Sequence, residues 1–253
     1  MKKLLIVGMA LIAWAGLASA APYLVYDSGG SQDVIQAAMT ASGFSFDVRD
    51  ASNPVTAGDL ASHKALVVGW SAGGFDMSGL NSGVLAAGIT GNMIFPGHDA
   101  DYHSVAGVAA AKSFFDRAVL FAGSDVNCGI LAFPVYDASP FGYLPSAWGI
   151  TAYGGLTSET IDAITVDGNA SGLYSGLTLA TLSNWGQSFH AGFSTWGAGM
   201  NPFEIGSPPT GAVVTIGTTK TPAPAVPEPS AWILMGLGLV GATATAAGRK
   251  LGQ

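Results

Sequence analysis

An uncharged apolar run from Ala231 to Gly248 sets the C-terminal end of this chain apart from any globular core. As a helix, a run of this length is about as long as the hydrocarbon layer of a bilayer is thick. Arg249 and Lys250 follow it directly, and basic residues at the end of a span stay on the cytoplasmic side. We therefore expect a transmembrane helix over residues 230–248, with the preceding chain outside the cytoplasm.

The N-terminal segment has the composition of a secretory signal peptide. Two lysines precede an apolar stretch that ends at Leu17, and small residues follow at Ala18 and Ala20. Signal peptidase cleaves after such a pattern, and the apolar stretch is short for a permanent anchor. We expect a signal peptide over residues 1–20 and signal peptidase as a partner.

The residues around the C-terminal apolar run complete a wider pattern. A proline-glutamate-proline core precedes the run and a basic pair follows it. In this order the parts resemble the PEP-CTERM sorting signal, the tag of exported bacterial proteins that are handed to a membrane protease called exosortase. The signal residues are Val226, Pro227, Glu228, Pro229, Ser230, Arg249 and Lys250.

This resemblance implies a route and a destination for the protein. The precursor is expected to be anchored in the inner membrane by its C-terminal helix and to face the periplasm. Exosortase is the implied processing partner. The cell surface or the extracellular matrix is the implied final location.

Between the two targeting segments lies enough chain for one domain with a sizeable core. Cys128 is the only cysteine of the chain, so no internal disulfide holds that domain. Prolines near its C-terminal end predict an extended linker. The predicted order is a signal peptide at 1–20, a globular α/β domain at 21–217, a proline-rich linker at 218–229, a transmembrane helix at 230–248 and a basic cytoplasmic tail at 249–253.

The charge balance excludes one class of partner. The chain has 9 Lys and Arg against 16 Asp and Glu, a formal net charge of -7. An acidic surface repels phosphate backbones, so we expect no nucleic-acid partner. The few charges and the many Gly, Ser and Thr residues suit a saccharide-rich matrix, and exopolysaccharide is a candidate partner.

The first half of the predicted domain alternates between strand and helix patterns. Short apolar or alternating runs predict strands, and the segments between them have apolar residues at helical spacing. This alternation predicts a three-layer α/β sandwich with a mainly parallel sheet. The predicted strands are 23–27, 44–48, 65–69, 92–95 and 130–133, and the predicted helices are 32–42, 56–62, 80–87 and 105–120.

Beyond Asp137 the pattern is weaker. Residues 158–163 predict a capped turn of helix, residues 164–166 a strand, and residues 212–216 a last strand that closes the sheet. The stretch between the last two, rich in Gly, Ser and Trp, is expected to be irregular or to form hairpins.

One loop of the predicted domain concentrates polar side chains after the strand that ends at Phe95. Ligands of open α/β sheets bind beyond the carboxyl ends of strands, and two imidazoles with two carboxylates can chelate a divalent cation such as zinc or manganese. The spacing matches no established zinc motif, however, and either aspartate can instead cap the following helix. A divalent metal is therefore one hypothesis and structural capping the other, with no other cofactor expected. The candidate ligands are His98, Asp99, Asp101 and His103.

The order of elements and this loop are similar to the class I glutamine amidotransferase-like family over about residues 23–133. The resemblance implies a flavodoxin-like fold. In active members, the strand corresponding to residues 93–95 leads into an elbow that carries a cysteine nucleophile. Here the elbow is Pro96-Gly97-His98-Asp99, without a cysteine. The resemblance therefore implies the fold without amidotransferase activity.

A second constellation matches that of serine hydrolases. Gly69-Trp70-Ser71-Ala72-Gly73 fits the nucleophile-elbow pattern, and Ser71, Asp162 and His190 follow the chain order of α/β-hydrolases. An elbow also needs a helix directly afterwards, and the glycine-rich residues 73–79 are a poor helix start. Ser71 and His190 are the catalytic candidates, and a glycine-rich turn is the alternative interpretation.

An aromatic-rich segment around His190 contains Trp185, Phe193 and Trp196. Exposed tryptophans stack on sugar rings, whereas buried ones belong to the core, and both interpretations stay open. We therefore expect an exported envelope or matrix protein whose mature domain is non-catalytic or binds a ligand. The alternative is a hydrolase or a metal-dependent enzyme with its site at the strand carboxyl ends.

Overall fold

A computed structural model describes residues 21–157 and 159–218. The predicted signal peptide, most of the linker, the transmembrane helix and the basic tail lie outside the described residues. Within these two ranges, no helix is both long enough and apolar enough to cross a membrane. The described part corresponds to the predicted globular domain.

Ten strands, seven α-helices and a 3₁₀ helix at Ser146–Trp148 make up the described residues. The strands are β1 Tyr23–Tyr26, β2 Phe46–Arg49, β3 Ala65–Val68, β4 Met93–Pro96, β5 Gly129–Ala132, β6 Thr151–Tyr153, β7 Thr160–Ile164, β8 Gly192–Thr195, β9 Met200–Ser207 and β10 Ala212–Thr218. The helices are α1 Ile35–Ala41, α2 Ala57–Ser62, α3 Ser82–Gly88, α4 Ala100–Val105, α5 Ala109–Ala122, α6 Val166–Ala170 and α7 Leu179–Leu182.

The first five strands form a parallel array in the order β2-β1-β3-β5-β4. Their side chains alternate between two apolar clusters. Val25 and Val67 pack with α1 and α5, whereas Leu24 and Leu66 pack with α2 and α3. Because β1, β3 and β5 are buried on both faces, their sequences are nearly continuous apolar runs. This half of the domain is α/β, as predicted.

The sheet as a whole is mixed, so the prediction of a mainly parallel sheet is wrong. β10 lies antiparallel to β4, β8 and β9, and the pairs β6–β8 and β7–β9 are also antiparallel. The reason is that β4 would otherwise end the parallel array with an apolar strand whose backbone groups lack partners. β10 supplies those partners, since Gly97 N–H donates to the Val214 carbonyl and Met93 N–H donates to Thr218 Oγ1.

The strand order also differs from the expected flavodoxin-like order, which is 2-1-3-4-5. Here β5 lies between β3 and β4. After β3 the chain therefore leaves one position of the sheet empty and forms β4 beyond it. It then returns through α4 and α5, and β5 takes the position between β3 and β4. All four residues of β5 are buried, which suits a central strand, whereas Met93 of β4 is only half-buried.

The predicted helix over residues 105–120 corresponds to α5, which starts later, at Ala109, and the short helix α4 precedes it at Ala100–Val105. Gly107 separates α4 from α5 and has a φ of 92°. Glycine adopts such a positive φ readily, and the conformation interrupts a helix. The polar loop residues before Gly107 thus form a separate short helix.

The predicted helical turn over residues 158–163 is wrong, because Thr160–Ile164 is a strand paired with β9. Ile161 is buried while Thr160 and Asp162 are exposed, which is the alternation of a strand with one face on the core. Pairing with β9 outweighs the local capping pattern. The predicted strand over residues 164–166 is also wrong at its end, since α6 starts at Val166.

Both ends of the described domain lie at one end of the sheet. β1 starts at Tyr23, and β10 ends at Thr218, which accepts the Met93 N–H at the start of β4. The carboxyl ends of the parallel strands, with the loops that follow them, lie at the opposite end. Those loops carry the candidate site.

Candidate functional site

A cleft opens beyond the carboxyl ends of β1, β3 and β5. The chain leaves β1 for α1 on one face of the sheet and leaves β3 for α3 on the other face, so the two loops diverge. Such a divergence creates the crevice in which open α/β sheets bind ligands. The cleft has a volume of about 240 Å³ and is lined by Gln32, Trp70, Ala72, Tyr136, Gln187 and His190.

Two aromatic rings hold the His190 imidazole in the cleft. The imidazole stacks on Trp70, with 5.3 Å between ring centroids and 27° between ring planes. Tyr136 meets the imidazole nearly edge-on at 5.9 Å. Because Trp70 is buried and Tyr136 is 50% exposed, an entering ligand meets the tyrosine ring first.

Both ring nitrogens of His190 have partners. Nε2 lies 3.1 Å from Asp99 Oδ2, and Nδ1 lies 3.2 Å from the Leu156 carbonyl oxygen. A carboxylate and a carbonyl are both hydrogen-bond acceptors, so each ring nitrogen of His190 lies against an acceptor of the protein itself. An imidazole held on both sides in this way is fixed in orientation, and both of its nitrogens are engaged within the protein.

Gly97 permits the approach of His190 to Asp99. The N–H groups of His190 and Ala191 lie 2.8 and 3.2 Å from the Gly97 carbonyl oxygen and donate to it. A Cβ at position 97 would lie only 2.0 Å from the Ala191 carbonyl oxygen. Only glycine therefore allows this distant segment to reach the loop after β4.

Asp99 is the centre of a buried His-Asp-His group. Its Oδ2 lies 3.2 Å from His103 Nε2 and 3.1 Å from His190 Nε2. Burial by itself raises the pKa of Asp99, but the hydrogen bonds and charge of the two histidines outweigh burial and hold that pKa below its ordinary value. Asp99 occupies the N-cap position of α4 without a capping hydrogen bond from its side chain. Its carboxylate instead holds the two imidazoles in place.

His98 points away from this group and into the core. Its Nε2 lies 2.7 Å from Glu204 Oε2, and its Nδ1 lies 2.7 Å from the Ser188 carbonyl oxygen. Burial lowers the pKa of His98, but the charge and hydrogen bond of Glu204 raise it more, so that pKa stands above its ordinary value. The pair is fully buried and joins the loop after β4 to β9.

Asp101 holds the backbone of Trp70, one of the residues that line the cleft. Its Oδ2 accepts the Trp70 N–H at 2.8 Å, and the side chain is fully buried. Burial raises the pKa of Asp101 well above its ordinary value, and the nearby carboxyls of Asp33 and Asp99 add to the rise. The Asp101 carboxyl positions Trp70, on which His190 stacks.

The four predicted metal ligands therefore do not share a common point. Asp99 and His103 contact each other, whereas His98 faces Glu204 and Asp101 faces Trp70. In the part of the chain that the structure describes, no group of three or more His, Cys, Asp or Glu side chains is arranged to hold a metal ion. The geometry favours pairing among side chains at these positions, and a divalent metal stays a hypothesis from the sequence.

Ser71 is fully buried in the turn after β3. Its Oγ lies 2.8 Å from Ser28 Oγ, and the Ser28 hydroxyl donates to Asp33 Oδ2 at 2.6 Å. These bonds tie together the loops after β1 and β3. No helix follows Ser71 directly, and among the described residues no hydrogen bond connects Ser71 to His190. The structure thus brings His190 to Asp99 rather than to Ser71, and Asp162 lies exposed on β7.

Gln187 lines the cleft in an unusual backbone conformation. Its φ is 86°, a value that non-glycine residues seldom adopt, with Asn, Asp and His as the commoner exceptions. Its N–H donates to Glu159 Oε1 at 3.2 Å. Backbone strain of this kind is concentrated at binding and catalytic sites. The exposed amide of Gln187 is therefore a candidate ligand contact.

The aromatic-rich segment belongs mainly to the core. Trp185 is buried and donates its Nε1–H to the Thr181 carbonyl at 2.8 Å, and Phe193 is buried against Phe141. Of the ring residues of this segment, Trp185, His190, Phe193 and Trp196, only His190 lines the cleft.

Sequence reasoning missed Gln32, Tyr136, Gln187 and Glu204. Gln32 and Tyr136 follow β1 and β5, so the rule that directs attention to strand carboxyl ends could have found both. Gln187 and Glu204 lie in the weakly patterned region beyond residue 137, where no sequence signal marks them.

Comparison with known protein families locates a sorting signal in the chain. Residues 225–250 match the family model for the PEP-CTERM protein-sorting motif. The chain therefore carries an exosortase sorting signal, and it is an exported protein with exosortase as its processing partner. No curated protein matches the chain. The motif does not include residues 21–218, so the likeness to the class I glutamine amidotransferase-like family stays a prediction.

Proposed function

We propose that the described domain is a non-catalytic binding module of this exported protein, and that its cleft binds a neutral saccharide of the cell envelope or extracellular matrix. The observation that carries the proposal is the composition of the cleft lining. It combines a half-exposed tyrosine ring with two amide side chains, and it has no Lys, Arg, Asp or Glu among its described residues.

This lining suits the chemistry of sugars. A sugar ring offers C–H groups to an aromatic ring, and Tyr136 provides such a ring. Sugar hydroxyls donate and accept hydrogen bonds, and the amides of Gln32 and Gln187 do both. Small-molecule sites usually combine aromatic side chains with a few placed polar groups, and this cleft contains both. Phosphates and carboxylates are typically bound by Arg or Lys, so this lining favours an uncharged ligand.

The surroundings of the cleft favour binding over catalysis. The two nitrogens of His190 are occupied by Asp99 and Leu156. The hydroxyl of Ser71 is buried and bonded to Ser28. A nucleophile with a free base beside it, which covalent hydrolysis needs, is not formed by these candidates.

Replacing Tyr136 tests the proposal directly. Aromatic pairs contribute about 0.5–1.5 kcal/mol beyond area burial, and 1.4 kcal/mol is about tenfold in affinity. We expect Tyr136→Ala to weaken saccharide binding about tenfold and Tyr136→Phe to retain most of it. The measurement is isothermal titration with neutral cello-, xylo- and N-acetylchito-oligosaccharides. The full-length protein is used, in a zwitterionic detergent that has no sugar head group.

Tyr102→Ala is the matched control. Tyr102 is also exposed and contacts Trp70 at 5.5 Å between ring centroids, but it does not line the cleft. Its replacement should leave affinity unchanged. If the unmodified protein binds none of the neutral saccharides, the proposed function is wrong.

A further inference from the structure

A second cleft adjoins the first at Tyr136. It has a volume of about 270 Å³ and is lined by Tyr136, Asp137, Ala138, Gly154 and Gly155. Its walls are the loop after β5 and the residues that follow β6, whereas the first cleft is formed by the loops after β1 and β3 and by residues 187–190. Tyr136 contributes to both linings, so the clefts meet at an exposed ring.

Neither cleft alone has the volume of an ordinary ligand pocket. Such pockets commonly measure about 300–1,000 Å³. The two clefts measure about 240 and 270 Å³, and only together do they reach that range. A ligand that fills the available space is therefore longer than either cleft and crosses the Tyr136 ring.

Close packing of two backbone segments forms the second cleft. A Cβ at Gly154 would lie 2.0 Å from the Asp137 carbonyl oxygen, so glycine is required for this approach. A Cβ at Gly155 would meet nothing within 4 Å. The segment is thus held against Asp137 on one side and leaves open space on the other. The Asp137 carboxylate accepts the Ser139 N–H, so it has a hydrogen-bond partner within its own loop.

We infer that the ligand is a saccharide chain rather than a free sugar, with successive units in the two clefts and Tyr136 between them. The inference rests on the proposed function and adds its substrate class, an oligomer or polymer of neutral sugars. Two shallow clefts suit a chain because linked units bind as one ligand, and the second unit enters at a high effective concentration.

The dependence of affinity on chain length tests the inference. Cello-, xylo- and N-acetylchito-oligosaccharides of one to six units are titrated into the full-length protein in zwitterionic detergent. We expect the dissociation constant to fall at least about tenfold from one unit to about four and then to level off. Equal affinity for one and six units would overturn this inference and leave the proposed function standing. Absence of binding at every length would overturn both.

A variant confined to the second cleft separates the two clefts. Ala138 is exposed there, and Ala138→Trp should reduce the affinity for long chains to that for short ones while leaving short chains unaffected. Ala180→Trp, at an exposed position on α7, is the control for an added surface indole. Ala138→Leu gives a smaller obstruction should the tryptophan variant fail to fold. A length dependence that persists in the folded Ala138 variants contradicts the inference.

Discussion

At Gln187 the backbone conformation and the side chain make opposite demands on the residue. A left-handed backbone costs a non-glycine residue about 1–2 kcal/mol. Glycine would remove that cost. Its greater conformational freedom in the unfolded chain would, however, lower the free energy of unfolding by about 0.5–1 kcal/mol. The first quantity is larger, so the presence of glutamine at φ 86° lowers stability. We attribute its presence to the amide that it places in the cleft.

We therefore expect Gln187→Gly to raise stability and lower affinity together. The melting temperature, followed by tryptophan fluorescence, should rise by about 1–3 °C for a domain of this size. Saccharide affinity should fall about fivefold, since one neutral hydrogen bond contributes about 1 kcal/mol. Asn184→Gly is the control: Asn184 has a φ of 64°, which asparagine tolerates well, so both quantities should change little. A Gln187→Gly protein with unchanged affinity would exclude a role for the amide.

The His98–Glu204 pair should make stability depend on pH. The pKa of His98 is raised in the folded state above its unfolded value of about 6.5. The stabilisation is therefore complete below about pH 6.5 and is lost as the pH rises through the folded pKa. Glu204→Gln leaves a buried imidazolium without its partner, so we expect a loss of about 3–5 kcal/mol at acidic pH that becomes smaller at alkaline pH. Denaturant unfolding across the pH range measures it.

Asp47→Asn provides the comparison for that experiment. Asp47 pairs with His63 at 3.0 Å, but its side chain is 45% exposed. Solvent screens such a pair, and its removal should cost less than about 1 kcal/mol. A loss for Glu204→Gln that does not vary with pH would contradict the raised pKa of His98.

At the scale of elements, the sequence predicted the parallel half well and the antiparallel half poorly. β1, β3 and β5 are buried on both faces, so their apolar runs are visible in the sequence. The order of the strands in the sheet was not predictable from the local sequence. It depends on β5 being more deeply buried than β4, which is a property of the whole fold. The sequence of β7 resembles the capping pattern at the start of a helix, so this strand was predicted as a helical turn. The loop after β4 was predicted as a candidate metal site and His190 as a partner of Ser71, whereas the structure pairs His190 with Asp99 of that loop. The cleft residue Gln187 comes from a region without periodicity, so no sequence signal marked it.

Gly97 lies where the parallel half of the sheet contacts the antiparallel half, through hydrogen bonds to His190 and Ala191. A larger side chain at this position should therefore lower stability. Gly97→Ala places a Cβ 2.0 Å from a backbone oxygen that cannot move freely, so we expect a loss of about 2–3 kcal/mol and weaker saccharide binding. Gly58→Ala is the opposite case. Its Cβ would lie at an ordinary 3.7 Å from Thr56 within the same helix region, and we expect a gain of about 0.5 kcal/mol. Urea unfolding measures both. Equal effects at the two positions would show that close packing at Gly97 does not limit stability.

At the scale of the whole molecule, the sorting motif and the described domain occupy separate parts of the chain. Replacing Pro227, Glu228 and Pro229 by alanine should leave full-length precursor in the membrane fraction of a host that contains exosortase. The folded domain should still bind saccharide. Gel mobility and cell fractionation measure processing. Alanine at Pro222 and Pro224, outside the matched residues 225–250, is the control and should be processed normally. Normal processing of the triple variant would show that these residues are not read by exosortase.

The antiparallel direction of β10 places Thr218, the last described residue, at the end of the sheet opposite to the Tyr136 cleft. Thr218 lies beside the first residue of β4, while the cleft lies past the last residue of the neighbouring parallel strands. The two are separated by at least roughly 13 Å, the length of a four-residue strand at about 3.3 Å per residue. The described domain therefore ends at the pole opposite to Tyr136. With the membrane anchor that the sequence predicts after Thr218, the Tyr136 cleft would lie on the side of the domain away from the lipid.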